Sequence, residues 1–214
     1  MEGWRMAWIT IELGALWLGL PLLLWLEALP PGLRIGMLAA AAVYGLWIVR
    51  RERVPWNRLG FRGPRYLLAS LRAGLPWVAG AWPVLVALVA VGPAVGRAAP
   101  APEPEPSLLL ALGYYAIVSV SSQEFLYSSF FFWRYRPLFS PGFLAGFNSV
   151  AFALAHLVYG SWLSVGLAFA GRVVLARIYR RYESFWGVWI LHVLLGVAVF
   201  AAGLGGYFQR PLRP

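Results

Sequence analysis

The stretch from Ser119 to Arg136, SVSSQEFLYSSFFFWRYR, decides how this chain is read. It opens inside an apolar run, carries Gln123 and Glu124 side by side among serines, and closes on Arg134 and Arg136. A carboxylate in an apolar helix is costly unless the rest of the protein provides for it. The composition around it is that of a membrane protein. The 214 residues are 61% hydrophobic and 12% charged, with a mean hydropathy of +0.69, whereas a soluble domain is about half apolar and about a quarter charged. The length suits one domain. Without cysteine, disulfides and thiol chemistry are excluded.

All 18 basic residues are arginine, and the net charge is +10. The arginines cluster at the ends of apolar runs, where topology signals belong, and no soluble basic domain accompanies them, so a nucleic-acid partner is rejected. An arginine-only basic set with abundant Ala, Gly, Leu and Pro is a habit of GC-rich bacterial genomes, and points to a bacterial inner membrane.

Working outward, seven apolar runs appear: Met6–Leu26, Ile35–Val49, Ala73–Val95, Leu108–Trp133, Phe143–Val158, Trp162–Ile178 and Phe185–Tyr207. The first lacks a signal-peptide pattern and is expected to be a retained helix. Glu12 within it is expected to snorkel or pair locally. Glu27–Gly32 reads as a turn. Residues 50–72 hold seven arginines and one glutamate, a cytoplasmic segment by the positive-inside rule. Within it, Trp56–Arg62 reads as an interfacial piece, an amphipathic eighth helix on the inner leaflet. Pro76, Pro83 and Pro93 are expected to kink or end the third span. Ala98–Pro106 is a Pro-rich external linker. Thirteen arginines then fall on inner segments and four on outer ones. The expectation is an all-α polytopic bundle of about seven spans with a cytoplasmic N-terminus. Its parts are 1–97 (N-terminal helices and basic loop), 98–107 (linker), 108–208 (transmembrane core of catalytic type) and 209–214 (tail).

Four ionisable residues lie deep in the last four spans: Glu124, His156, Arg172 and His192. At 1.5 Å per residue, Glu124 is roughly 15 Å from the inner boundary, His192 roughly 14 Å and His156 roughly 21 Å. Groups at like depth on different helices can converge on one cavity. Ser121, Glu124 and Ser128 share a helix face at i, i+3 and i+7; Asn148, Phe152 and His156 form a second stripe; His192 and Gly196 are i, i+4. Gly142 and Gly146 make a GxxxG pair, which ordinarily serves helix packing.

The order Gln123-Glu124, then Phe152-x-x-x-His156, then Ser184-Phe185-Trp186 leading to His192, resembles the CPBP family of intramembrane proteases, which includes the CAAX-prenyl endopeptidases and bacteriocin-processing relatives. The resemblance covers roughly residues 108–208. The family's motifs are Glu-Glu-x-x-x-Arg, Phe-x-x-x-His and His-x-x-x-Asn, on a helical bundle where a carboxylate and a histidine activate water. Carried over, the resemblance makes His156 the water-activating histidine, His192 the oxyanion histidine and Glu124 the second glutamate. Three positions depart: Gln123 stands at the first glutamate, Ser128 at the arginine and Gly196 at the asparagine. Glutamine cannot take a proton but can orient water or donate to an oxyanion. Arg172 is the candidate replacement partner for Glu124.

The expected function is therefore an intramembrane endopeptidase acting on a membrane-associated peptide or protein, in contact with membrane lipid, with Glu124, His156, His192 and Gln123 at its site. A non-catalytic relative of binding or immunity type is the alternative, and a proton-linked transporter a third, lacking inverted repeats. No cofactor is expected. Zinc is the variant, since two histidines and a glutamate meet the ligand count of a catalytic site, although no HExxH spacing is present.

Overall fold

The computed structural model describes residues 2–26, 31–91 and 112–208, and these form seven helices with no strand among them. Helix α1 spans 2–25, with a π turn at Ala15–Gly19 between α-helical Glu2–Gly14 and Leu20–Trp25. Helix α2 is Pro31–Arg51 and α3 is Pro64–Val91. Helix α4 covers 112–135, with π turns at Tyr115–Val120 and Phe125–Phe130 on either side of Ser121–Glu124. Helix α5 is Pro141–Ala155, closing in a 3₁₀ turn His156–Tyr159; α6 is Trp162–Tyr182; α7 is Phe185–Ala201. Four stretches are long and apolar enough to cross a membrane: Gly3–Trp25, Trp56–Val91, Pro141–Tyr159 and Trp162–Tyr182. Phe185–Ala201 is apolar but shorter.

Helix α4 is the buried hub. Phe125, Leu126, Tyr127, Phe130, Phe131 and Tyr135 are all buried, packed against Ile9, Leu13 and Trp17 of α1, Ile48 and Val49 of α2, and Leu144, Ala151 and Phe152 of α5. Helix α3 lies outside this core, against α6 and α7. It approaches closely because the contact points are small: Gly74 faces Leu191 and Ile178, and Gly187 faces Ser70, as membrane helix packing favours. The outward surfaces expose Trp4, Trp8, Ile11, Trp77, Trp82, Val84 and Val86. Large apolar side chains exposed along whole helices belong in lipid.

Several expectations change. The third helix begins at Pro64, not Ala73, because a proline is well placed in a first helical turn; it passes through Pro76 and Pro83 unbroken. The second begins at Pro31 for the same reason, so the last two residues of the expected 27–32 turn are helical, and 27–30 lie outside the described residues. Trp56–Leu59 is a single 3₁₀ turn, not an amphipathic surface helix. Leu59 is fully buried, its carbonyl accepts from Ser129 Oγ (2.6 Å), and the Gly60 carbonyl accepts from Phe185 N (2.8 Å), so the segment docks into the bundle. Gly60 at φ 86° is required there, since a side chain would meet Tyr179. Gly142 and Gly146 do not bring helices together; they line an open groove of about 290 Å³ between α5 and α6, with Arg177 and Arg180 on its rim. The 98–107 linker, the 209–214 tail and Pro93 lie outside the described residues.

Glu12 does not pair locally. Arg134, at the end of α4, holds it with Nε at 3.0 Å and Nη2 at 2.8 Å, and Tyr135 and Tyr44 hydroxyls donate to the same carboxylate at 2.9 and 2.8 Å. Arg134 Nη1 also reaches Glu52 (2.6 Å), which Arg5 meets from outside (3.0 Å). Glu12 and Arg134 are both buried, and a fork-shaped guanidinium answers a carboxylate in a way that no local neighbour of Glu12 offers. Removing one partner strands the other charge. Arg134→Met should therefore lower stability by about 3–5 kcal/mol, and Glu12→Gln added to it should restore much of the loss, both read from thermal unfolding of the purified protein in nanodiscs.

Candidate functional site

Glu124 and Arg172 are each completely buried and face each other across α4 and α6. Arg172 Nη1 lies 3.0 Å from both carboxylate oxygens. Its Nη2 donates to the Tyr127 carbonyl (2.5 Å) and Ser128 Oγ (3.0 Å), and its Nε donates to Asn148 Oδ1 (2.6 Å). Five acceptor atoms thus meet the five N–H donors of a guanidinium. Asn148 is held at both ends of its amide, because its Nδ2 donates to the same Tyr127 carbonyl (2.8 Å). That carbonyl lies in the π turn Phe125–Phe130, and two side-chain donors use both its lone pairs. π turns within α-helices often mark functional sites, since they release backbone groups from the regular ladder.

Glu124 is equally occupied. Oε1 accepts from Arg172 and from His192 Nδ1 at 2.7 Å; Oε2 accepts from Arg172 and from Ser128 Oγ at 2.5 Å. Four donors fill about four lone-pair positions of a carboxylate, so a water reaches neither oxygen without displacing a donor. Ser128 and Arg172 act as a pair: the small serine leaves room for a guanidinium that arrives from α6 rather than from the next turn of α4.

The two histidines are held by their Nδ1 atoms. His192 gives Nδ1 to Glu124, and His156 gives Nδ1 to the Phe152 carbonyl at 2.8 Å. A carbonyl only accepts, so His156 Nδ1 carries the proton and its Nε2 keeps a lone pair in the neutral ring. Both rings pack on Phe152, with centroids 4.6 Å (His156) and 5.7 Å (His192) away. His156 stands just past the end of α5, in the 3₁₀ turn closed by Gly160 at φ 64°, with Tyr159 and Phe208 around it.

The structure thus joins Glu124, Ser128, Asn148, Arg172 and His192 in one hydrogen-bonded network, with His156 beside it across Phe152. Gln123 is not in the network: its Nε2 donates to Ser119 Oγ (2.8 Å), one turn back along α4. Gly196 lies one turn beyond His192 and meets the Tyr115 phenol. Trp189, which the motifs did not flag, donates its indole N–H to the Ala116 carbonyl and Ser121 Oγ, each at 3.0 Å, and so fixes α7 against α4. No group of three histidine, aspartate or glutamate ligands converges among the described residues, and a cation at Glu124 would have to displace Arg172.

Fold and site together define a helical membrane protein with a buried carboxylate–histidine centre. Residues 105–198 match the model of the family described as type II CAAX prenyl endopeptidase Rce1-like, which supports the resemblance of that segment to the CPBP family of proteases. No curated protein and no solved structure matches the chain.

The Nδ1 bond to Phe152 makes a spectroscopic prediction. In ¹⁵N spectra of histidine-labelled protein, neutral His156 should show a protonated Nδ1 and a bare Nε2; an Nε2–H tautomer would contradict the geometry.

Proposed function

We propose that this chain is a CAAX-type intramembrane endopeptidase in which His156 is the general base. It would work in a bacterial inner membrane, with about seven spans and the N-terminus in the cytoplasm, an orientation supported by thirteen inner arginines against four outer ones. The observation that carries the mechanism is the full occupancy of Glu124 by Arg172, His192 and Ser128, while His156 beside it is bonded through Nδ1 alone among the described residues.

A water on His156 Nε2 attacks the scissile carbonyl carbon as its proton passes to Nε2. His192, in its imidazolium form, donates from Nε2 to the oxyanion. When the carbon–nitrogen bond breaks, the proton on His156 moves to the departing amine. Glu124 orients the His192 ring through Nδ1, and Arg172 holds Glu124, so both are positioning residues. The substrate class that the family description suggests is a prenylated C-terminal peptide, whose lipid would lie in the bilayer beside the bundle.

One observation favours a second reading. Gln123 carries no base and turns its amide along its own helix to Ser119, so a non-catalytic relative that keeps the cavity for binding is the alternative.

The test is hydrolysis of a fluorogenic farnesyl-cysteine peptide carrying three further residues, by the full chain in nanodiscs. His156→Ala should lower kcat by about 10²–10⁴-fold, and Glu124→Gln should also lower it, with both variants folded by circular dichroism. A folded His156→Ala that cleaves like the wild type removes the mechanism, and absence of turnover in the wild type favours the binding reading.

A further inference from the structure

Beyond the two histidines, a phenol stands at the same place. Gly196 is one turn from His192 on the same face of α7, about 6 Å along the axis. It supplies no side chain. The space that a Cβ on Gly196 would need is taken by the hydroxyl and ring of Tyr115, from the first π turn of α4. The ring also lies against Phe200, 6.0 Å between centroids. Its position is fixed by its neighbour: the Ala116 carbonyl accepts the Trp189 indole N–H, and Trp189 is three residues before His192. The Tyr115 hydroxyl, however, has no hydrogen-bond partner among the described residues, although the residue is half-buried. An unpaired hydroxyl inside a membrane bundle is costly, and an O–H seeks an acceptor.

We propose that Tyr115 is a catalytic residue that donates its phenolic hydrogen to the carbonyl oxygen of the scissile bond, alongside His192. The inference rests on the hydrolytic reading above. The phenol meets α7 at Gly196, one turn from His192, and two donors at one oxygen form an oxyanion site. The glycine is what admits the phenol: any larger residue at 196 would displace it. No covalent step is added. The phenol keeps its proton throughout, and the bond strengthens as charge grows on the oxygen.

The experiment compares wild type and Tyr115→Phe, which keeps the ring and removes only the donor. Two quantities are read in nanodiscs: hydrolysis of the farnesylated peptide, and affinity for two uncleavable peptides. One is a farnesylated phosphinate, with tetrahedral phosphorus at the scissile carbon; the other is the matching planar N-methyl amide. Tyr115→Phe should lower kcat by about 10²-fold with little change in KM. It should weaken the phosphinate by a similar factor and leave the N-methyl amide unchanged. Tyr115→Ala with Gly196→Asn, which places an amide donor in the vacated space, should recover part of both. If wild type and Tyr115→Phe hydrolyse the peptide equally, the assignment of Tyr115 falls while the hydrolytic reading stands. If neither hydrolyses but Tyr115→Phe alone loses phosphinate affinity, the donor assignment stands and the hydrolytic reading falls. Unchanged phosphinate affinity without turnover overturns both.

Discussion

The bundle depends on one buried ion pair, Glu124 with Arg172. Two charges with no solvent exposure face a large desolvation penalty, and their mutual attraction offsets it only when every remaining donor and acceptor is also met. Here the requirement is fulfilled by parts from four helices. Helix α4 supplies Glu124, Ser128 and the Tyr127 carbonyl, α5 supplies Asn148, α6 supplies Arg172 and α7 supplies His192. Moving any of these helices by one residue would leave a charge or an amide unpaired. In lipid, where apolar surface gives little preference for one helix register over another, such polar contacts specify the arrangement. The same contacts that hold the helices therefore hold the His192 ring.

Helix α4 carries a second charge, Arg134, ten residues from Glu124. It binds Glu12 and Glu52, and so ties α4 to α1 and α2 as Glu124 ties it to α5, α6 and α7. Between the two charges lies a run of buried aromatics, including Phe130 and Phe131, against Trp17 and Phe147. The hub is thus polar at two levels and aromatic between. Helix α3 has no such tie to α4, rests on Gly74 and Gly187, and presents most of its surface to lipid.

Much of this was legible in the sequence because charge in an apolar run is rare and informative. Glu124, Arg172 and His192 announce themselves, and helix rise alone puts Glu124 and His192 at like depth; the structure sets them 2.7 Å apart. Glu12 shows the limit. Its partner is 122 residues away, and nothing local to it names Arg134. The π turns were hidden as well, because they are a property of hydrogen-bond register and no residue type encodes them. The acceptors they present, the carbonyls of Ala116 and Tyr127, are common to every residue and carry no sequence signal. Trp56–Leu59 misled for a different reason: its aromatics and arginines fit an interfacial helix, but its buried Leu59 and its carbonyl contacts belong to a docked loop.

The departures from the resembled motif are best understood as coupled. Gln123 in place of glutamate removes one negative charge from the end of the site, and Ser128 in place of arginine removes one positive charge. Arg172 supplies the positive charge that position 128 does not, so the buried Glu124–Arg172 pair is neutral. The departures also explain the geometry: with no arginine at 128, Arg172 can take up both oxygens of Glu124 and use Ser128 as a further acceptor. The price is that the remaining glutamate is fully committed to structure. The proposed hydrolysis therefore falls to side chains that the network orients but does not consume: among the described residues His156 is bonded through Nδ1 alone, beside the anchored His192.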